Sequence, residues 1–175
     1  MSGSPRRVLV TVASRHGATA EIAAAIAQRL AGGGAGLVAV PVPVTQRPDP
    51  AAFDAVVLGS AVYVGRWLEA AREYAATHAP ALRTKAVWLF SSGPIGEPPF
   101  PRDLPHDVEP LTSLTGARGH ALFPGRLDKA HLTLGERAMV TAMRAPVGDF
   151  RDWPAVHAWA DGIAAELASP AAVRS

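Results

Sequence analysis

The sequence predicts an α/β fold in which helices cover both faces of a parallel sheet. Short β-branched apolar runs alternate along the chain with segments whose apolar residues recur every three or four positions, the patterns of strands and of amphipathic helices. One run, residues 55–58, is continuously apolar, as expected of a strand buried on both faces. Since the chain has 175 residues, 49% of them hydrophobic, we expect a single domain over residues 1–175 with its core at about 7–168.

The first elements follow from a β-branched run that begins at Val8 and breaks into a polar loop at residues 14–19. A helix is predicted directly after this loop, ending in the glycines at 32–34. Its apolar stripe consists of Ile22, Ile26 and Leu30. A second strand is predicted at residues 37–42, and the proline-rich residues 43–50 form the crossover to the third strand.

The middle of the chain predicts two further strands, each followed by a loop of small residues. The third strand covers residues 53–59 and leads into a loop at 60–65. We expect the following helix to stop near Pro80, because proline disrupts helices. Its apolar side comprises Trp67, Ala70, Ala71 and Tyr74. The fourth strand, 86–90, runs into a loop at 91–96.

The last third of the chain departs from simple alternation. A short helix around Val108, Leu111 and Leu114 precedes a fifth strand at residues 119–123. Residues 134–144 predict an extra amphipathic helix with two sides. Ala138, Met139, Ala142 and Met143 form the apolar side, and Glu136, Arg137 and Arg144 the polar one. The final helix begins with Asp152 as N-cap and Pro154 in its first turn.

Composition excludes several classes of protein. The chain has no cysteine, so it can form no disulfide, thiolate nucleophile or iron–sulfur cluster. Its apolar runs are too short to span a membrane, and its first residues lack the apolar core of a signal peptide, so we expect a cytoplasmic protein. A net charge of +2 with scattered basic residues and 6% aromatic residues does not indicate nucleic-acid binding.

The loop at residues 14–19 is a candidate phosphate site. Backbone N–H groups at the start of a helix lack intrahelical partners, and the helix dipole favours an anion there. Ser14 and Thr19 can add hydroxyl donors, and Gly17 allows the backbone to close around the anion. Because ligands bind beyond the carboxyl ends of parallel strands, the loops at 60–65 and 91–96 are predicted to share one binding site with it.

The motif Ser14-x-x-Gly17-x-Thr19 resembles the phosphate loop of the flavodoxin-like family, with His16 in place of a middle threonine. Together with residues 59–67 and an extra segment at 126–151, it is similar to the branch that contains menaquinone-dependent protoporphyrinogen IX dehydrogenase. The resemblance implies a flavodoxin-like three-layer sandwich, with a five-stranded parallel sheet of order 2-1-3-4-5 and an extra helical segment before the last helix.

The resemblance also implies noncovalently bound FMN, with its phosphate on the first loop and its ring between the other two. Tyr63 is favoured over Trp67 for contact with the ring, and backbone N–H groups of residues 92–96 would meet the pyrimidine edge. The implied contacts are Ser14, Arg15, His16, Gly17, Ala18 and Thr19; Ser60, Ala61, Val62, Tyr63, Val64 and Gly65; and Ser92, Gly93, Pro94, Ile95 and Gly96.

The function implied is an FMN-dependent oxidoreductase whose chemistry belongs to the flavin, so we assign no catalytic acid or base. Its electron donor or acceptor would be a small molecule, such as a quinone, or a protein. Carrier flavodoxins are typically acidic near the flavin, whereas Arg15 and Arg66 lie by this site, which favours an enzyme. The alternatives are an electron-transfer carrier and a cofactor-free binding module, the latter indicated by His16.

Several side chains keep two interpretations at this level. Arg15 and His16 either contact the phosphate or face solvent, and Glu21 needs no role beyond favouring the helix dipole. The extra helix is expected to pack over the sheet edge, with a groove or membrane face opened through Met139, Val140 and Met143 as the open alternative. The histidines form no pattern typical of a metal site. No G-x-S-x-G motif supports a hydrolase.

Overall fold

A parallel five-stranded sheet forms the centre of the structure, a computed structural model that describes residues 3–96 and 103–169. The strands are β1 (Arg6–Ala13), β2 (Leu37–Pro43), β3 (Ala55–Tyr63), β4 (Arg66–Trp67), β5 (Ala86–Ser92), β6 (Gly119–Phe123), β7 (Arg126–Leu127) and β8 (Gly148–Asp149). The order β2-β1-β3-β5-β6, with every neighbouring pair parallel, confirms the predicted topology. Strand β4 pairs antiparallel with β3, and β7 pairs with β8.

Five α-helices accompany the sheet within the described residues. They are α1 (Ala18–Gly32), α2 (Glu69–Leu82), α3 (Val108–Thr115), α4 (Leu134–Ala142) and α5 (Trp153–Ala168). Successive side chains of a strand point to opposite faces, so Val8 and Val10 pack under α1 and α5, whereas Leu9 belongs to the core under α2 and α3. The protein is therefore a three-layer α/β sandwich.

Local signals determine the ends of α1 and α5 as predicted. Helix α1 ends among glycines, with Gly33 at its C-cap. Asp152 caps α5 by accepting a hydrogen bond from the Ala155 N–H at 3.1 Å. Trp88 is buried in the core beneath α5, and the partly buried Trp159 of α5 packs against this core, where its ring meets the Phe90 ring edge-on at 6.0 Å between centroids.

The predicted loop at residues 60–65 is wrong, because β3 continues through Tyr63. Ser60 and Ala61 stay in the sheet opposite Ser91 and Ser92 of β5, which itself extends beyond its predicted end at residue 90. The chain then reverses in a tight turn at residues 64–65, where both residues have positive φ, 52° and 73°. Such turns match the twist of a β-hairpin, and this one leads into β4.

The predicted stop of α2 at Pro80 is also wrong. The helix includes Pro80 and ends at Leu82, whose side chain is fully buried. Proline lies here in the last turn, where one lost backbone hydrogen bond is offset by burial of the leucine. Trp67, which we expected on α2, belongs to β4 instead.

Candidate functional site

A cleft of about 180 Å³ lies at the carboxyl edge of the sheet and contains parts of all three predicted segments. The first loop contributes Ser14, Arg15, His16, Ala18 and Thr19; the second segment Ala61, Val62 and Tyr63; and the third Ser92, Gly93 and Ile95. The walls are mostly apolar, and polar groups concentrate at the first loop. Such a combination is typical of sites that bind a largely apolar ligand with one charged end.

The first loop is built to leave backbone donors at the start of α1. Gly17 occupies the N-cap position with φ 89°, a left-handed conformation that favours glycine. It has no side chain with which to cap the first turn, so the N–H groups of that turn remain for another acceptor. The Ser14 hydroxyl holds the loop by accepting a hydrogen bond from the Gly17 N–H at 3.1 Å.

Six of the predicted contact residues do not line the cleft: Gly17, Ser60, Val64, Gly65, Pro94 and Gly96. Gly17 shapes the first loop as described above. Ser60 is fully buried, and its hydroxyl accepts from the Leu68 N–H at 3.0 Å. Val64, in the hairpin turn, is 80% exposed. In the third segment the Gly93 N–H already donates to the Phe123 carbonyl at 3.2 Å, so its role is structural.

Tyr63 and Trp67 separate as the resemblance implies. Tyr63 lies on the cleft wall and is partly exposed, and the Arg15 guanidinium stacks 4.6 Å from the centre of its ring. Trp67 is buried beneath α2, where its indole N–H donates to the Ser91 hydroxyl at 2.7 Å. Of these two residues, Tyr63 is therefore the one that can present its ring to a ligand in the cleft.

Helix α4 forms a wall that the sequence did not assign to the site. Met139 and Val140 line the cleft, which answers the question left open above in favour of a groove. Met143 stays 73% exposed. Glu136, expected on the polar side of the helix, is only 7% exposed and also lines the cleft. The signal that locates it is the capping box Thr133-x-x-Glu136, because a residue at that position is held against the start of its helix.

The Glu136 carboxylate pairs with two side chains of the first loop. Its Oε1 lies 2.7 Å from Arg15 Nη2, and its Oε2 lies 3.5 Å from His16 Nε2. The hydrogen bond from the Thr133 N–H lowers the pKa of this carboxyl below its usual range, and the positive charge of Arg15 acts in the same direction. The anion that Arg15 and His16 contact is thus a carboxylate of the protein itself.

A second cluster of charged side chains includes one residue of the cleft wall. Arg126, on the cleft wall, donates to Glu21 Oε2 at 3.1 Å, and Arg151 donates to the same oxygen. Arg151 also pairs with Asp149 at 2.7 Å. The hydrogen bond from Arg151 lowers the pKa of Glu21, so that this carboxylate is ionised and orients both arginines. Glu21 therefore pairs with two arginines, in addition to its favourable position in the first turn of α1.

Residues 3–96 and 103–169 contain neither a metal-binding cluster nor a membrane-spanning helix. No group of three or more His, Asp or Glu side chains is arranged to hold a metal ion. No helix there combines the length and apolar character required to cross a membrane.

Residues 9–152 match the flavodoxin domain family. This protein is a member of that family. The cofactor of flavodoxins is FMN, and membership supports an FMN-binding role in electron transfer or oxidation–reduction. No protein with curated annotation matches this flavodoxin-domain chain significantly in sequence.

Solved structures agree with the fold of this flavodoxin-domain protein. Rubredoxin oxygen:oxidoreductase from Desulfovibrio gigas superposes with a TM-score of 0.62 at 12% identity over 98% of this chain, which spans only 38% of that longer protein. The Streptococcus pneumonia TIGR4 flavodoxin gives 0.59 at 16% identity, covering 91% of this chain and 99% of the other. Megasphaera elsdenii flavodoxin gives 0.52 at 21% identity, covering 66% and 84%.

Proposed function

We propose that this protein binds FMN noncovalently in the cleft and acts as an oxidoreductase. The observation that carries the proposal is that three segments far apart in the sequence each contribute to one cleft at the carboxyl edge of the sheet. The first of them has the geometry of an anion site, and the other two have the apolar surfaces that a flat ring requires. Family membership supplies the identity of the cofactor.

The chemistry of the first loop fits a phosphate monoester. The N–H groups at the start of α1 follow a glycine N-cap and supply donors, and the helix dipole points its positive end at the same place. Thr19 lines the cleft and offers a hydroxyl. Arg15 and His16 already hold a carboxylate, so both can reach an anion at this end. No metal ion is required to hold a phosphate here.

The remaining walls fit the ring system. Tyr63, Val62 and Gly93 line the cleft, and Gly93 packs closely on Val62, because a Cβ atom at Gly93 would lie 3.0 Å from the Val62 Cβ. Bound FMN would supply hydride or electron transfer. The chain would supply position and exclusion of water, the latter through Met139 and Val140 of α4.

Within the oxidoreductases we propose an enzyme that acts on a small organic donor or acceptor, similar to menaquinone-dependent protoporphyrinogen IX dehydrogenase. Its electron partner in this proposal is a quinone. Arg15 at the cleft supports this choice over a carrier, because carriers typically present acidic surfaces near the flavin. Arg66, also expected beside the site, does not line the cleft and pairs with Asp107, whereas Arg126 does line it. A cofactor-free binding module is the second candidate. It is favoured by one observation, the Glu136 carboxylate that pairs with Arg15 and His16.

Flavin titration tests the proposal. Flavin fluorescence should be quenched by the protein with one-to-one stoichiometry. Gly17→Ala should weaken FMN binding, because an alanine is strained at φ 89° and the first loop would shift. Gly162→Ala is the matched control, since Gly162 lies in α5 and a Cβ there meets no atom within 4 Å. Absence of quenching in the wild type would favour the cofactor-free module.

Anaerobic reoxidation separates the enzyme from the carrier. The flavin-loaded protein is reduced and then mixed with menadione or with a ferredoxin-type protein partner. We expect rapid oxidation by menadione. Rapid oxidation by the protein partner alone would contradict the enzyme and support the carrier.

A further inference from the structure

Helix α4 is held over the cleft by few side chains. The side that lines the cleft is only partly covered, since Met139 is 40% exposed. Glu136 is the buried residue of this helix, and it makes the ion pairs between α4 and the first loop described above. On the outer face, Arg137 donates to the Lys129 carbonyl, within the same segment of the chain. The contact between helix and loop is therefore concentrated in one carboxylate.

The capping box gives this carboxylate a fixed position. Glu136 Oε2 accepts from the Thr133 N–H at 2.9 Å, and the Glu136 N–H donates to the Thr133 hydroxyl at 3.2 Å. The other oxygen, Oε1, is buried and has no hydrogen bond of favourable geometry within the described residues, although it lies 2.7 Å from Arg15. Oε2 thus caps the helix, whereas Oε1 faces the Arg15 guanidinium, which a stronger acceptor could bind instead.

We infer that the Glu136 carboxylate competes with the phosphate of the ligand for Arg15 and His16. Through these two side chains the carboxylate holds α4 over the cleft until an incoming phosphate displaces it. The inference rests on the proposed function in taking FMN as the physiological ligand. The cleft of about 180 Å³ is smaller than the 300–1,000 Å³ that is typical of ligand sites, so we expect FMN binding to require that α4 move away from the first loop.

The chemistry of the two anions favours displacement. A phosphate monoester carries a charge of about −1.5 to −2 near neutral pH and three strong acceptor oxygens, whereas Glu136 offers a single negative charge and already spends one oxygen on Thr133. Arg15, whose side chain is 44% exposed, can turn from the carboxylate to the phosphate without leaving a buried cation unpaired. Riboflavin has no phosphate and therefore should not release the contact.

Glu136→Gln tests the competition, because glutamine preserves the capping box and removes the charge. We expect FMN to bind about tenfold more tightly to this variant, since the binding-competent state no longer competes with an internal anion. Riboflavin affinity should change less than twofold. Glu109→Gln is the matched control: it removes the same charge from the first turn of another helix, α3, and should leave both affinities unchanged.

Arg15→Met should have the opposite effect on affinity. It breaks the same contact but also removes a partner of the phosphate, so α4 is released while FMN binding weakens. A purely structural role for Glu136 would weaken FMN binding in the Glu136→Gln variant as well. The two variants therefore distinguish competition from simple support of the helix.

The chain contains its own probes of α4, because two of its three methionines, Met139 and Met143, lie in or directly after this helix. In spectra of protein labelled with ¹³C at the methionine methyl groups, inorganic phosphate should shift Met139 of the wild type, with sodium chloride of equal ionic strength as control. Without any ligand, Glu136→Gln should already show the shifted Met139 position. Glu109→Gln, whose substitution lies in α3, serves as the control and should keep the wild-type Met139 position.

The outcomes separate this inference from the proposed function. If FMN does not bind but Met139 moves in Glu136→Gln and with inorganic phosphate, the cofactor assignment fails and the competition stands. If FMN binds equally to wild type and Glu136→Gln, and Met139 keeps one position in both, the competition is wrong and the cofactor assignment stands.

Discussion

Acid should destabilise this protein well above the pH at which its carboxylates titrate, because His120 is held neutral in the folded state. Burial lowers the pKa of His120 to about 4, from an ordinary value of 6.5. The Ser91 hydroxyl, which accepts from the Trp67 indole, lies 2.7 Å from His120 Nε2. We assign the serine proton to this contact, which requires an unprotonated Nε2.

The sign and size of the effect follow from proton binding. Between pH 6.5 and about 4 the unfolded chain binds a proton at His120 that the folded protein does not, so stability falls as pH falls through this window. The full pKa difference would correspond to about 3 kcal/mol. Because His120 is only partly buried, solvent screening reduces the expected loss to about 1–2 kcal/mol, of which roughly half appears by pH 5.

Urea unfolding at pH 7 and pH 5 measures this loss in the wild type, in His120→Gln and in His131→Gln. Glutamine can still accept from Ser91 but does not titrate, so His120→Gln should lose about 0.5–1 kcal/mol less than the wild type between the two pH values. His131 is exposed and serves as the control. Glu21 and Asp149 have lowered pKa values, so nearly all of their stabilisation is lost below pH 5, outside the measured range. Equal pH dependence in the wild type and His120→Gln would refute the reasoning.

Three other substitutions test the packing. Thr11→Val should stabilise the protein by about 1 kcal/mol in urea unfolding, because the buried Thr11 hydroxyl has no hydrogen-bond partner within the described residues; a destabilised variant would reveal a hidden partner. Gly59→Ala should destabilise by about 2 kcal/mol or more, since its Cβ would lie 2.2 Å from the Phe90 ring; unchanged stability would contradict that packing. Asp152→Ala should cost about 1 kcal/mol by removing the cap of α5, and an unchanged midpoint would contradict the cap.

Local sequence patterns were sufficient for most of the fold. The first strand, loop and helix could be predicted because hydrophobic spacing, Gly17 and the terminal glycines of α1 all indicate the same structure. The strand order could be predicted only from the family resemblance, since the residues of one strand do not show which other strands it pairs with. Residues 60–63 were misread as a loop because Ser60 and Ala61 are held in a strand by β5, and Val62 and Tyr63 by the hairpin with β4.

The candidate site was predictable only in part. The first loop and Tyr63 are within reach of motif reasoning, and both line the cleft. Glu136 was missed because its function depends on a tertiary contact with Arg15, far away in the chain. The capping box shows where Glu136 lies on its own helix but not which residues the carboxylate meets. Arg126 was missed for the same reason, since its partner is Glu21 on α1.

The most direct test of the account is a crystal structure of the protein grown with FMN. We predict one FMN in the cleft, with its phosphate hydrogen-bonded to the backbone of residues 14–19 and its ring beside Tyr63. An FMN bound at any other surface, or with its phosphate away from the first loop, would contradict the central claim.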